Sequence, residues 1–179
     1  MGAHTIHFKC HHCRHCCKDV VCLPTPMDVI QIVKATGLDP HAFLEFLRPS
    51  EIREVGRDDA TWLRCRQKKY IMAIRRDEKG CYFLNKKTAL CDIYESRPIL
   101  CRLFPFKLHE TRQGDFKAFS LHTKVECPRH LDGVVEARPL YDAYVVDRGH
   151  QDDYHDLVTV FNRRGYDKPE DFIPFAIRG

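Results

Sequence analysis

The sequence lacks any long apolar run. No stretch approaches the roughly 20 apolar residues that a transmembrane helix requires, so we expect no membrane association. The first ten residues, MGAHTIHFKC, contain no apolar segment of the kind found in a secretory signal. We therefore predict a cytoplasmic protein.

The signatures of several common enzyme classes are missing as well. The chain contains no G-x-G-x-x-G, no P-loop, no G-x-S-x-G and no H-E-x-x-H. Its formal net charge of +4 counts every thiol as neutral, although a metal-bound cysteine is a thiolate. No basic tract is interleaved with aromatic residues, so we expect no nucleic-acid partner. Catalytic residues are not identifiable from these patterns.

Cysteine, in contrast, is abundant. The chain has ten cysteines, and four of them lie between Cys10 and Cys17 in the segment CHHCRHCC. Two residues between thiols allow a short loop to bring both sulfurs to one metal. A chain without a secretory signal favours metal or redox chemistry over disulfides, and the adjacent Cys16 and Cys17 are poorly placed to bridge each other. Metal binding is the main interpretation, with disulfides and unligated thiols as alternatives.

A second constellation of cysteines follows later in the chain. It comprises Cys81, the segment C-x-I-Y-x-x-R-P-x-x-C-R-x-F-P over residues 91–105, and Cys127 before a proline. These intervals are too long for one local loop, so the fold must bring the thiols together. Sulfur ligands from several segments favour zinc or an iron–sulfur cluster over magnesium or calcium.

The combined pattern of CHHCRHCC, CYFL, CDIYESRPILCRLFPF and a late Cys-Pro resembles the CxxCxxCC cysteine-cluster family, which is described as zinc- or iron-chelating. The resemblance covers about residues 8 to 128. It implies a metal-binding domain, often labelled an iron–sulfur oxidoreductase, and a related module occurs in flagellin lysine N-methylases. By motif position it implies eight metal ligands: Cys10, Cys13, Cys16, Cys17, Cys81, Cys91, Cys101 and Cys127. Cys22 and Cys65 fall outside the motif, and we interpret them as small buried residues.

The identity of the metal is left open by the spacing. C-x2-C-x2-C matches the first three ligands of bacterial [4Fe–4S] loops, but the adjacent Cys17 breaks the ferredoxin pattern. Zinc would accept any tetrahedral set of these thiols. We favour one or two [4Fe–4S]-type clusters, since a zinc site rarely needs so many cysteines. The expected function is redox or electron transfer with a redox or protein partner; the alternatives are a zinc-binding structural module and a cluster-bearing enzyme such as a methyltransferase.

Two arginines flank Cys101 and are candidate cofactor-binding residues. Arg97 and Arg102 could donate hydrogen bonds to cluster sulfur or hold an anionic substrate. The alternative is that they pair with Asp92 or Glu95 and stabilise the local turn.

The histidines of the chain have similar double interpretations. We expect exposed loop histidines near the first cysteines and a solvated helix face near the end of the chain, with metal ligation as the alternative at both places. The residues concerned are His11, His12, His15, His150, Asp152, Asp153, His155 and Asp156.

The chain predicts one α+β domain over residues 1–179, with short helices and hairpins gathered around the metal site and a helical C-terminal part. Thr25 and Pro26 predict a helix start and Gly37 its end. A second short helix is expected from Asp39 to about Pro49, and hairpins over 62–74 and 106–122. The last long helix should run from Leu140 to Arg164, with a break near Gly149 and an extended tail. Its expected buried side comprises Leu140, Tyr144, Val145, Leu157, Val158, Val160 and Phe161.

Overall fold

The computed structural model describes residues 5–11, 13–113, 115–122 and 133–177. It is a mixed α+β fold with a long C-terminal helix, as predicted. The short elements of the N-terminal part are β1 (Thr5–His7), α1 (His15–Lys18), α2 (Pro26–Thr36) and α3 (Pro40–Phe43). No helix in the described ranges is long and apolar enough to cross a membrane.

The central sheet consists of β2 (Leu44–Leu47), β3 (Leu63–Cys65) and β4 (Lys68–Ile74), in the order β2-β4-β3 and antiparallel throughout. The hairpin of β3 and β4 confirms the prediction over 62–74. The helix predicted after residue 43 is wrong, because Leu44–Leu47 pairs with Ile74–Ile71. Apolar residues at 43, 44, 46 and 47 fit both a helical and an alternating period, and pairing with β4 decides between them.

The start and end of α2 confirm the sequence signals. The Thr25 hydroxyl accepts a hydrogen bond from the Asp28 amide, and the Asp28 carboxylate accepts one from the Thr25 amide, which forms a capping box. Gly37 ends the helix in the left-handed conformation, with φ at 69°. This helix follows the first group of cysteines in the chain. Its capped start therefore holds the segment that connects those cysteines to the helix.

The remaining short elements lie between the sheet and the last helix. They are β5 (Arg76–Asp77), β6 (Gly80–Cys81), the 3-10 turn Tyr94–Ser96, α4 (Ile99–Leu103), β7 (Phe106–Glu110), β8 (Phe116–Leu121) and β9 (Val134–Glu136). The β7–β8 pair confirms the predicted second hairpin, and β9 pairs with β1. The short strand β6 ends at Cys81, so this cysteine lies on a hairpin strand.

The last helix, α5 (Ala137–Arg164), runs without a break. The predicted interruption at Gly149 is wrong: one glycine costs a helix only about 1 kcal/mol, and packing on both sides of it offsets that cost. The N-terminal half contacts the β7–β8 hairpin through Arg148–Glu110 and Tyr141–Phe116. In the C-terminal half, Val158 and Phe161 enter the main core.

The faces of α5 and the tail differ from the prediction in detail. Val145 and Val160 were expected to be buried, but they are 50% and 40% exposed. The tail is a 3-10 turn, Pro169–Asp171, followed by α6 (Phe172–Ile177), rather than an extended segment. The tail packs on the last long helix, since Phe172 and Phe175 contact the Phe161 ring.

Candidate metal centre

One cavity of about 530 Å³ lies between the N-terminal loop, β6 and α4. Eight of the nine cysteines in the described part of the chain line it: Cys10, Cys13, Cys16, Cys17, Cys22, Cys81, Cys91 and Cys101. The ninth, Cys65, is buried in the main core as predicted. Cys127 lies outside the described residues. The fold thus gathers thiols that the sequence separates by up to ninety residues.

The N-terminal cysteines are presented by a tight backbone turn. Arg14 adopts the left-handed conformation, with φ at 68°, and its carbonyl oxygen accepts hydrogen bonds from the amides of Cys17 and Lys18. Reversal of the chain at Arg14 allows cysteines on both sides of it to line the cavity. His15 pairs with the Asp19 carboxylate at 3.0 Å, and His11 is exposed; His12 lies outside the described residues.

The Cys81 hairpin lies directly against this loop. A Cβ atom at Gly80 would lie 2.7 Å from the Cys17 carbonyl oxygen, and the φ of Gly80 is 118°. Only glycine permits this approach without strain. The Arg76 guanidinium donates hydrogen bonds to the carbonyl oxygens of Val20 and Lys18. These contacts hold Cys81 beside the N-terminal cysteines.

Cys91 and Cys101 are held in position by different segments of the chain. Cys91 forms a β-bridge with Leu84, so it is held by the chain that leaves β6. Cys101 lies on α4, whose first amide, that of Ile99, donates to the Asp28 carboxylate at 3.0 Å. Because Asp28 also caps α2, this buried carboxylate joins the starts of α2 and α4.

Two pairs of sulfur atoms lie close together. The Sγ atoms of Cys22 and Cys101 are 3.4 Å apart, and those of Cys16 and Cys17 are 3.9 Å apart. Two thiolates on one tetrahedral ion with bonds of about 2.3 Å would have sulfurs about 3.8 Å apart. Within the described ranges, however, no three Cys, His, Asp or Glu side chains converge closely enough to hold one ion. The thiols of the described residues therefore surround the cavity partly as pairs and do not form a closed tetrahedron among themselves.

Interactions between neighbouring thiols, together with burial, raise the pKa of some cavity cysteines and lower that of Cys16. The hydrogen bond from Cys17 lowers the pKa of Cys16 to about 6, and the same hydrogen bond raises that of Cys17. The hydrogen bond with Cys101, and to a smaller extent burial, raises the pKa of Cys22 well above its ordinary value. Burial raises the pKa of Cys81 to about 11. Most of these thiols stay protonated unless a cation compensates their charge, so metal binding must release protons.

The two arginines have different environments. Arg102 donates to the carbonyl oxygens of Arg97 and Glu95, which stabilises the turn before α4. Arg97 stacks over the Tyr94 ring at 3.7 Å and donates to the Tyr94 carbonyl oxygen. Its Nε is buried and has no hydrogen-bond partner within the described residues. Both arginines line the cavity, and Arg97 keeps a donor available for a bound group.

The late histidine–aspartate cluster lies away from this cavity. The three aspartates of the cluster are exposed and the two histidines are half-buried, in agreement with a solvated helix face. Cys22, interpreted from the sequence as a small buried residue, is partly buried against the main core, but it also lines the cavity, which sequence reasoning missed. The available signal was its position between the cysteine loop and the start of α2.

Of the comparisons with known proteins, the family model bears on this site. A 45-residue segment is 42% identical to an uncharacterized protein of Methanocaldococcus jannaschii, and the match covers 25% of this chain and 24% of that protein. No solved structure matches the chain. The model of the family CxxCxxCC, described as "putative zinc- or iron-chelating domain", matches residues 9–128. Well over half of the chain and all eight cavity-lining cysteines lie within this range, which supports metal binding by zinc or iron. The chain therefore belongs to the CxxCxxCC family.

Proposed function

We propose that this protein holds an iron–sulfur cluster in the thiol cavity and exchanges electrons with a redox partner. The observation that carries the proposal is the convergence of eight cysteines on one cavity of about 530 Å³. A structural zinc ion uses four ligands, so this cavity has more thiols than one zinc requires. The proposed ligands are those of the family motif: Cys10, Cys13, Cys16, Cys17, Cys81, Cys91 and Cys101, together with Cys127 outside the described residues.

The separation of the thiols supports a group with several metal atoms. Within the described ranges no three donors meet at a single point, whereas a cluster presents each of its irons at a different place. When bound, such a cluster supplies one-electron transfer at a potential that depends on charge, hydrogen bonds and solvent exposure.

The other cavity residues suit this role. Phe8, Leu84 and Ile93 are buried residues of its lining and limit access of water. The unpartnered Nε of Arg97 would donate to a cluster sulfur, and Arg102 would hold the Arg97 backbone in place. Leu90 and Tyr94 also line the cavity but are 52% and 50% exposed. They offer an apolar surface on which a redox partner could approach the cluster.

A zinc site is the second candidate. It is favoured by the two close sulfur pairs, because distances of 3.4 and 3.9 Å suit two thiolates that share one ion. Zinc would then stabilise the fold of the cavity region, and the protein would be a structural or interaction module.

Metal and acid-labile sulfide analysis of protein purified without oxygen tests both candidates. Iron and sulfide in equal amounts, with visible absorption bleached by dithionite, would support the cluster. Zinc without iron or sulfide would replace it with the structural site, and protein without metal after reconstitution would contradict both. The matched variants are Cys91→Ser, which should lower the metal content, and Cys65→Ala, which should not because Cys65 lies in the apolar core.

The role of Arg97 needs a different measurement. Arg97→Gln removes a positive charge and a donor from the cavity, so the reduction potential should fall while the iron content is retained. An unchanged potential at full iron content would exclude Arg97 as a cofactor-binding residue.

A further inference from the structure

We propose that Cys22, which lies outside the family motif, is a metal ligand that shares one ion with Cys101. The inference rests on the proposed metal binding and adds a ligand to it. Two thiolates on one ion fit the zinc candidate, or a cluster in which one iron takes two cysteines, rather than a [4Fe–4S] cluster with one cysteine on each iron. The Sγ atoms of the two residues are 3.4 Å apart, closer than the 3.9 Å of Cys16 and Cys17. Both thiols line the cavity. A shared tetrahedral ion would bring their sulfurs to about 3.8 Å, which requires only a small adjustment.

The backbone of Cys22 is fixed to the central sheet. Its carbonyl oxygen accepts a hydrogen bond of 2.9 Å from the Ile74 amide, at the end of β4. Ile74 is almost fully buried in the main core. Cys22 is therefore attached to the most firmly packed part of the protein, and its position does not depend on the loop that carries the first four cysteines.

The other member of the pair is positioned by a buried carboxylate. One oxygen of Asp28 accepts from the Ile99 amide, at the start of the helix that carries Cys101. The other oxygen accepts from the Thr25 amide and hydroxyl, both at 2.9 Å. Since Thr25 follows Cys22 by three residues, Asp28 joins the chain after one thiol to the helix of the other. The pair is thus held in place by the fold.

Cys22 packs against the main core, but packing does not require a thiol at this position. Alanine or valine would fill an apolar site without placing two polarizable sulfurs in contact, and a thiol–thiol hydrogen bond is weak. Cys81 is close enough to interact electrostatically with both Cys22 and Cys101.

Cobalt substitution of the full-length chain tests the proposal directly. Wild type, Cys22→Ala, Cys22→Ser and the control Cys65→Ala are freed of metal and loaded with Co²⁺ without oxygen. We expect both Cys22 variants to lose part of the thiolate-to-cobalt charge-transfer absorption and to bind Co²⁺ at least about 10-fold more weakly. Cys65→Ala should keep both values. Cys22→Ser and Cys101→Ser should also be non-additive when combined, since each removes a ligand of the same ion.

Failure of the inference and failure of the proposed function would give different results in this experiment. If the Cys22 variants keep the absorption and affinity of wild type while Cys101→Ser loses them, Cys22 is not a ligand and the proposed metal binding stands. If wild type binds neither Co²⁺ nor iron with sulfide, the proposed function fails together with the inference.

A measurement on wild type alone covers the case in which the variants do not fold. Alkylation with iodoacetamide at alkaline pH, continued until Cys22 of the metal-free protein is labelled and read by mass spectrometry, should spare Cys22 in the Co²⁺-loaded protein under the same conditions. Cys65 provides the reference, because it should be equally protected in both states. Equal labelling of Cys22 with and without metal would overturn the proposal.

Discussion

The region around the central sheet and the region around the thiol cavity are held together by different forces. In the first, Val158, Phe161 and Phe172 have at most 1% of their surface exposed, and the two phenylalanine rings pack 5.2 Å apart. In the second, α1 has no buried residue and β6 is two residues long. Polar contacts from Asp28 and Arg76 add to the few buried apolar residues of the cavity lining there. The sheet region can therefore stabilise itself by apolar burial, whereas the cavity region relies more on these polar contacts, and we expect a bound metal to add to them.

Removal of the metal should give the largest effect and should act on one region only. A ligand present at 100 to 1,000 times its dissociation constant contributes about 3 to 4 kcal/mol to the free energy of unfolding. We expect a chelator to remove this contribution. In hydrogen exchange, the amides of α1 and α4 should then exchange faster while those of β4 stay protected. Equal acceleration in both regions would mean that they do not differ in metal dependence.

Substitution of Asp28 should break the connection between the regions. Asp28→Ala removes the α2 capping box and leaves the Ile99 amide without its acceptor, so we expect a loss of about 3 kcal/mol of stability and weaker metal binding. Asp39→Ala is the control, because Asp39 caps the short α3 at an exposed site. It should cost about 1 kcal/mol and leave metal affinity unchanged. Urea denaturation and metal titration measure both values, and similar metal affinities for the two variants would contradict this role of Asp28.

Substitution of Gly80 should disturb the cavity region at a smaller cost. Gly80→Ala introduces a Cβ 2.7 Å from the Cys17 carbonyl oxygen at a φ of 118°, which we expect to destabilise the protein by about 2 kcal/mol. Gly56→Ala should be close to neutral, since nothing lies within 4 Å of a Cβ at that position. Thermal melting of both variants checks the comparison. Equal melting temperatures would show that β6 does not need its close contact with the cysteine loop.

The smallest effect concerns Asp147 and depends on pH. Burial, followed by the negative charge of Asp28, raises the pKa of the Asp147 carboxyl to about 6. An unfolded aspartate has a pKa of about 3.9, so the folded state retains a proton that the unfolded chain releases. The resulting stabilisation is complete below pH ~4 and is lost as the pH rises through ~6.

Asp147→Asn should therefore be more stable than wild type at pH 7, by on the order of 1 kcal/mol, and should flatten the pH dependence. Urea denaturation at pH 5 and pH 7.5 measures the difference. A wild type that gains stability over this interval relative to the variant would show that the carboxylate has a partner that compensates its charge.

The elements that the sequence predicted well are those with local signals. The start of α2 needs only Thr25, Pro26 and Asp28, and its end needs only Gly37, so these bounds could be derived from neighbouring residues. Leu44–Leu47 could not, because its apolar residues fit a helix and a strand equally. Contact with β4 determined the outcome, and that contact joins residues about thirty positions apart. The continuous path of α5 through Gly149 depended in the same way on distant packing.

The sequence by itself determined that the protein would gather thiols, since ten cysteines at these spacings have few other uses. It also contains the family motif, whose cysteines make up most of the thiols in the cavity. Only the tertiary structure decided which thiols are neighbours. Cys22 and Cys101 come into contact because a backbone hydrogen bond to Ile74 and the buried carboxylate of Asp28 fix two segments 79 positions apart. Such a contact follows from the closing of the fold around the central sheet, and no local pattern encodes it.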